Sequence, residues 1–365
     1  MRVAVVDPPA YTPPYDHSLC SALARRGLDV ELSTSRFRYG EVPVEEGYRR
    51  VERFYRWGRG SASLKAAQHP FDMLRLARAL RRDDRRPVHF QWLPIRSLDA
   101  RLLGAFPKPR VLTAHEALPH RARGLVDAVD AVVAHTRSGR ERLVADLGVD
   151  PGRVHVIPHG AFDYLARQPD GGSIDPRAGE LDGRRVVLSF GLLRPYKGID
   201  VLIEAFAGTP RDAVLLVVGM PRMPVEPLAR LAADLGIAER VRFVPRFVPD
   251  REVPVYFRRA DLVVLPYRAI EHSGVLFTAL AFGSPLVLSA VGGFVEIASE
   301  HGAARLVEPG DVASLRSVIV ELLADDSARG QLAEAARAAA SGPFSWKRAA
   351  ELTEALYRTL AERAG

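Results

Sequence analysis

The stretch RPYKGIDVLIEAF, Arg194 to Phe206, follows the apolar run VVLSFGLL, Val186 to Leu193. A β-branched run that breaks on Gly191 and resumes as a segment turning Leu202 and Phe206 inward reads as strand, loop and helix. The loop carries Arg194 and Lys197, and Gly198 opens the helix. The first amides of a helix lack internal partners and stand at the positive end of its macrodipole, so this turn suits an anion.

The same alternation runs through the chain. Strand candidates in the first half are RVAVVD from Arg2, DVELST from Asp29, VHFQWL from Val88, RVLTAHE from Arg110, AVVAHT from Ala131 and VHVIPH from Val154. In the second half they are RVVLSFG from Arg185, AVLLVVG from Ala213, VRFVPRF from Val241, LVVLPY from Leu262, PLVLSA from Pro285 and ARLVEP from Ala304. Helical segments fall between most of them, such as HSLCSALARRG, which stops on Gly27. This is the pattern of βαβ units and parallel sheets. The segment from Arg36 to Gln68, rich in Arg and aromatic residues, is expected to be irregular, either a working surface or a long insertion. RQPDGGSIDPRAGELDGRR, Arg167 to Arg185, lacks periodicity and reads as a linker. The expected fold class is α/β, two doubly wound domains at residues 1–170 and 171–343. Ligands of such folds bind at the carboxyl ends of the strands, so a shared cleft is expected.

Composition bounds the rest. The chain has 365 residues, 47% apolar and 26% charged, a globular profile. Its apolar runs stop well short of the ~20 residues a membrane helix needs. MRVAVVDPPA reads as a strand rather than a secretory signal, so a cytoplasmic setting is expected. Cys20 is the sole cysteine and is expected to be a buried apolar residue. The net charge of +7 divides into +8 over residues 1–172 and −1 beyond. That excess suits an acidic partner or an anionic membrane surface, the latter through FYRWGRG at Phe54 and FDMLRLARALRR at Phe71, although ordinary surface packing gives the same pattern. Zinc spacings, helix-turn-helix patterns and aromatic RNA-binding signatures are missing, so nucleic acid is not an expected partner.

A second segment, YRAIEHSGVLFTALAFGSPLVLSAVGGFVEI, Tyr267 to Ile297, follows another strand and contains a helix opened by Gly274. Without a side chain at Gly274, a phosphate reaches the Ser273, Gly274 and Val275 amides. GSP at Gly283 stops that helix, and VGGFVE, Val291 to Glu296, sets two glycines and an acid after the next strand.

These segments resemble glycosyltransferase family 4, retaining enzymes of the GT-B fold that use nucleotide sugars. The likeness is close over the second half, where G-x-x-R-P-Y-K-G-x-D-x-L, V-x-F-V, A-D-L-V-V-L-P-Y, S-G-V and G-x-P-x-V occur in order. In the first half AHE (Ala114 to Glu116), Thr136 to Gly139 and VHVIPHGAFD (Val154 to Asp163) look like matching strand ends. FSW, Phe344 to Trp346, resembles the start of a helix over residues 344–365 that crosses back onto the first domain.

The resemblance implies two Rossmann-like domains facing a central cleft and a UDP- or GDP-linked hexose as donor. The implied acceptor is a small molecule, a glycan or a lipid-linked molecule. Arg194 and Lys197 would stabilise the departing diphosphate in place of a metal, so neither metal nor cofactor is expected. Gly191 and the Ser273, Gly274 and Val275 amides would line the phosphates, and Arg246, Phe247 and Val248 would enclose the nucleobase. His115 would face the donor sugar, with Glu271, His272 and Thr278 beside it. The glutamate pair of many relatives is replaced by Ile270 and Thr278, the arginine after the first glycine by Leu192, and the first glycine-rich loop by PPAYTPPYDHS, Pro8 to Ser18. Tyr11, Tyr15 and His17 of that loop are expected to shape an acceptor pocket. Two other readings stay open. One is an epimerase or hydrolase of the nucleotide sugar using His115 with Glu116, and the other is a binding protein without turnover. A dinucleotide-dependent oxidoreductase is set aside, because DPPAYTPP is not a glycine fingerprint.

Overall fold

The computed structural model describes residues 1–364 except 59, 85, 117, 170–172 and 271. In the first half, strands β1 (Arg2–Asp7), β2 (Asp29–Ser35), β3 (Arg49–Phe54), β4 (Val88–Phe90), β5 (Arg110–Ala114), β6 (Ala131–Ala134) and β7 (Val154–Val156) form one sheet, ordered 3-2-1-4-5-6-7. In the second, β8 (Arg185–Phe190), β9 (Ala213–Val218), β10 (Val241–Val244), β11 (Leu262–Leu265), β12 (Leu286–Ser289) and β13 (Arg305–Val307) are ordered 10-9-8-11-12-13. The pairings are parallel throughout, with Val5 against Leu32 and Val187 against Leu215 as typical register. Strands covered by helices on both faces must be apolar on both, and Val3 to Val6 and Ala213 to Val218 are almost fully buried. Both orders reverse beside the first strand of the sheet, which places a switch point between β1 and β4 and another between β8 and β11.

The chain divides into two compact units, residues 1–160 with 345–365 and residues 161–344. The partition falls at Gly160 rather than 170 because the next residues bond into the second unit. The Phe162 amide donates to the Phe277 carbonyl, the Tyr164 hydroxyl to Asp250, and Arg258 to the carbonyls of Ala166 and Gln168. The helix Trp346–Ala364 belongs to the first unit. Arg26 reaches Glu354 at 2.5 Å, and the Tyr357 hydroxyl lies 2.6 Å from His89 Nδ1.

Two expectations are corrected here. The segment 36–68 holds β3 and the start of the helix Ala62–Asp83. β3 reads RRVERF, too charged for apolar periodicity, and its register rests on ion pairs instead. Arg49 and Arg53 both reach the buried carboxylate of Glu31 from the neighbouring strand, and charge of this kind suits a sheet edge. The proline-rich loop is also shorter than expected. Pro13 and Pro14 lie in the first turn of the helix Pro13–Arg25, where a missing amide hydrogen costs nothing. Tyr15 and His17 therefore sit inside that helix, both buried, while Tyr11 stays exposed. Cys20 is buried as expected. Among the described residues no helix is long and apolar enough to cross a membrane.

Candidate functional site

In the second unit the loops after β8 and β11 meet at the switch point. Arg194 caps a 3-10 turn, Pro195–Lys197, and Gly198 follows with φ +62, a left-handed conformation in which a side chain is strained. A Cβ on Gly198 would stand 2.1 Å from the Pro266 carbonyl oxygen, so the two loops touch backbone to backbone. The Arg268 amide donates to the Tyr196 carbonyl (2.7 Å), and its guanidinium bonds the Pro195 carbonyl (2.8 Å) and Asp200 (2.6 Å). The Tyr196 and Tyr267 rings meet edge to face at 5.6 Å.

That clamp buries Lys197, which is only 4% exposed. Its ammonium donates to the Phe190 carbonyl at 2.9 Å and lies 5.1 Å from the Tyr267 ring centre. Burial pulls its pKa down to about 8, partly restored by Tyr196 and lowered again by Arg194. Gly191 keeps this corner open, because a Cβ there would lie 2.9 Å from Lys197 Nζ and 2.8 Å from a Val275 methyl. Gly191, Lys197 and Val275 therefore share one small space. Arg194 is half-buried in the same loop.

The helix Gly274–Phe282 opens there with Ser273 as N-cap, whose side chain forms no cap bond and lies 3.5 Å from the Tyr267 hydroxyl. Thr278 is bound to its own helix, its hydroxyl donating to the Gly274 carbonyl at 2.9 Å. Arg246 is held by Asp175 (2.8 Å) and Glu252 (2.5 Å). Its guanidinium is committed to structure, and Phe247 and Val248 follow it at the carboxyl end of β10. His272 is half-buried beside Ser273, and Glu271 lies outside the described residues.

In the first unit His115 follows β5 and is 8% exposed. It stacks on Trp92 (4.9 Å, 13°) and meets Tyr15 edge-on at 4.5 Å. Its Nε2 lies 2.9 Å from the Gln91 side-chain amide and its Nδ1 3.3 Å from His135 Nε2. His135 Nδ1 gives its proton to the Ile157 carbonyl (3.0 Å), and His115 Nε2 gives its own to Gln91 Oε1. Burial pushes His135 down to about 4, so it is neutral near pH 7. The His115–Glu116 pairing does not form, because Glu116 turns to Arg96 at 2.5 Å.

Sequence reasoning missed the partners of His115. Tyr15 also contacts His159 and Trp346, and a Cβ on Gly160 would strike the Trp346 indole at 2.4 Å. The signal was present, because His115, His135 and His159 each stand just past a strand, in three consecutive βα connections. Arg268 was also missed, and nothing in its local pattern marks it.

Two family models match this chain. Glycosyl transferases group 1 covers residues 173–339, and Glycosyltransferase Family 4 covers residues 15–161. D-inositol 3-phosphate glycosyltransferase 1 of Catenulispora acidiphila is 33% identical over 249 residues, 65% of this chain and 59% of that protein. The D-inositol 3-phosphate glycosyltransferase of Rhodococcus jostii is 34% identical over 234 residues, 61% of this chain and 51% of that protein. The chain thus matches between about half and three fifths of the length of these curated relatives. Among solved structures, sucrose-phosphate synthase from Thermosynechococcus elongatus superposes with TM-score 0.77 at 20% identity, over 99% of both chains. Anabaena HepE in complex with UDP-glucose gives 0.74 at 20% identity, over 98% of this chain and 99% of that one. At such identity these two speak for the fold alone. With both halves matched by glycosyltransferase models and two Rossmann-like units, the chain belongs to glycosyltransferase family 4 and has the GT-B fold.

Proposed function

We propose that the protein transfers a hexose from a nucleoside diphosphate, UDP or GDP, to an acceptor hydroxyl with retention of configuration and without a metal. The observation that carries this is Lys197, a cation buried at the switch point beside Gly191 and the opening turn of the helix Gly274–Phe282. A buried cation costs free energy unless an anion meets it, and a diphosphate is the anion this corner suits. In this reading Lys197, Arg194 and the Ser273, Gly274 and Val275 amides take up charge as the bond from the anomeric carbon to phosphate breaks. The electron pair leaves on the phosphate oxygen. The acceptor hydroxyl forms the new bond from the same face, and its proton passes to that oxygen. The nucleobase lies along the Arg246–Val248 backbone, with the Arg246 side chain fixing its course. His115, oriented by Gln91, His135 and Trp92, hydrogen-bonds the donor sugar.

A thermal-shift screen of UDP, GDP, ADP and TDP with their glucose, mannose and N-acetylglucosamine forms tests this on wild type and Lys197→Ala, with EDTA present. One nucleotide class raising the midpoint only in wild type is the expected result, since ligand at 100 times its Kd adds ~2.7 kcal/mol. No shift from any of them in folded protein would remove the reading. A second, peripheral reading is contact with an anionic bilayer. Trp57 (81% exposed) and the helical stripe Leu64, Phe71 (73%) and Leu74 lie among Arg56, Arg75 and Arg78. Flotation with phosphatidylglycerol vesicles that is insensitive to salt, or no flotation, argues against it.

A further inference from the structure

A second basic cavity lies in the first unit, at the carboxyl ends of β2 and β3. It measures about 500 Å³ and is lined by Arg36, Arg38, Arg56 and Lys65 with Phe37 and Tyr55. Glu52 is the sole acid among the residues that line it. Arginines on the adjoining strand have carboxylate partners: Arg49 and Arg53 on Glu31, and Arg50 on Glu45. Among the described residues Arg36, Arg38, Arg56 and Lys65 form no ion pair. Four cations gathered around the single carboxylate of Glu52 leave an excess of positive charge, and an anion removes the cost of their repulsion. Lys65 registers the field, because burial and then Arg38 lower its pKa.

The floor of the cavity is rigid. Tyr55, at φ +57, is held in the left-handed region as its backbone amide donates to the Asp72 carboxylate (2.9 Å). Its hydroxyl lies 2.8 Å from His69 Nδ1, and His69 Nε2 lies 2.6 Å from Asp99. His69 and Asp99 are fully buried. A non-glycine residue in this conformation is strained and persists where its surroundings enforce it. The Lys65 ammonium stands 5.3 Å from the centre of the same Tyr55 ring, so the fixed ring positions the cation.

We propose that this cavity binds the phosphate or pyrophosphate group of the acceptor. In the sheet order three interstrand steps separate β2 from β5, which carries His115. At ~4.8 Å each that is on the order of 15 Å. The acceptor is therefore an extended phosphorylated molecule, its anion at Arg36, Arg38, Arg56 and Lys65 and its reacting hydroxyl about two sugar rings away. This role rests on the glycosyl-transfer reading, whereas the anion site itself does not.

Calorimetric titration with inorganic pyrophosphate tests the site on wild type, Arg38→Ser/Lys65→Ser and Lys197→Ala. The expected result is binding to wild type and Lys197→Ala, weakened tenfold or more when Arg38→Ser/Lys65→Ser is introduced into Lys197→Ala. Equal melting temperatures check that the double variant is folded, and Arg38→Lys restores most of the affinity. Binding lost in Lys197→Ala but kept in the double variant, or no binding at all, overturns the proposal. A parallel titration of Lys197→Ala with geranyl pyrophosphate separates the two sources of such an anion. Affinity tenfold above that of pyrophosphate supports a lipid-linked carrier in this cavity, and equal affinity supports a soluble phosphorylated sugar there.

Discussion

The ammonium of Lys197 lies 2.9 Å from the carbonyl oxygen of Phe190, the last residue of β8, and that strand end is where the donor loop begins. The bond aims the side chain back under its own loop, leaving two ammonium protons for a ligand.

Donor binding should therefore follow the protonation of Lys197. With a pKa of about 8 in the empty site, the residue is charged at pH 7 and neutral at pH 9. Affinity for UDP or GDP should be level between pH 6 and 7.5, then fall about tenfold per unit above 8, because binding must take up a proton. Calorimetry at pH 7 and pH 9 reads this, and a level profile would count against it. Stability moves the other way. Between about 8 and 10.5 the unfolded chain holds more protons than the folded one, so stability rises with pH through that window.

Gly198→Ala tests the junction of the two loops. Its Cβ would meet the Pro266 carbonyl at 2.1 Å in a left-handed backbone, whereas Gly236, at φ +68, has open space. Urea unfolding should show a loss of about 2–4 kcal/mol for Gly198→Ala and about 1 kcal/mol for Gly236→Ala. Equal losses would mean that the loops can part without cost.

Asp7 and Asp16 form a buried carboxyl pair in the first unit, each with an oxygen that lacks a partner when both are ionised. Burial, opposed by bonds from Asp16 and the Tyr11 and Thr12 amides, raises Asp7 to about 6; burial and the charge of Asp7 raise Asp16 well above the usual range. The protonated pair is favoured on folding, so its stabilisation is present at low pH and lost as pH rises through about 6. Asp16→Asn supplies a permanent donor to Asp7. It should stabilise the protein by roughly 1–3 kcal/mol more at pH 8 than at pH 5. Urea midpoints showing the same difference at both values would contradict this.

The legible parts of the sequence were those where one residue type answers one constraint. Strands such as β1, β9 and β11 announced themselves because both their faces are apolar, and β3 did not because Glu31 in the next strand, rather than a core, holds it. Gly191 and Gly198 were readable because positive φ and close neighbours leave few other choices. Arg268, Asp175 and Gln91 were not, because each acts through a partner far away in the chain: Asp200, Arg246 and His115. Lys197 was found, but its burial was not. A lysine beside a glycine looks the same in sequence whether water or an aromatic ring lies above it.

The division of the chain also bears on how the protein is made. Residues 161–344 are continuous, while the first unit is completed by residues 345–365. On the ribosome the whole second unit emerges before Glu354 and Tyr357 exist to meet Arg26 and His89. The half that is synthesised first is the half that finishes folding last.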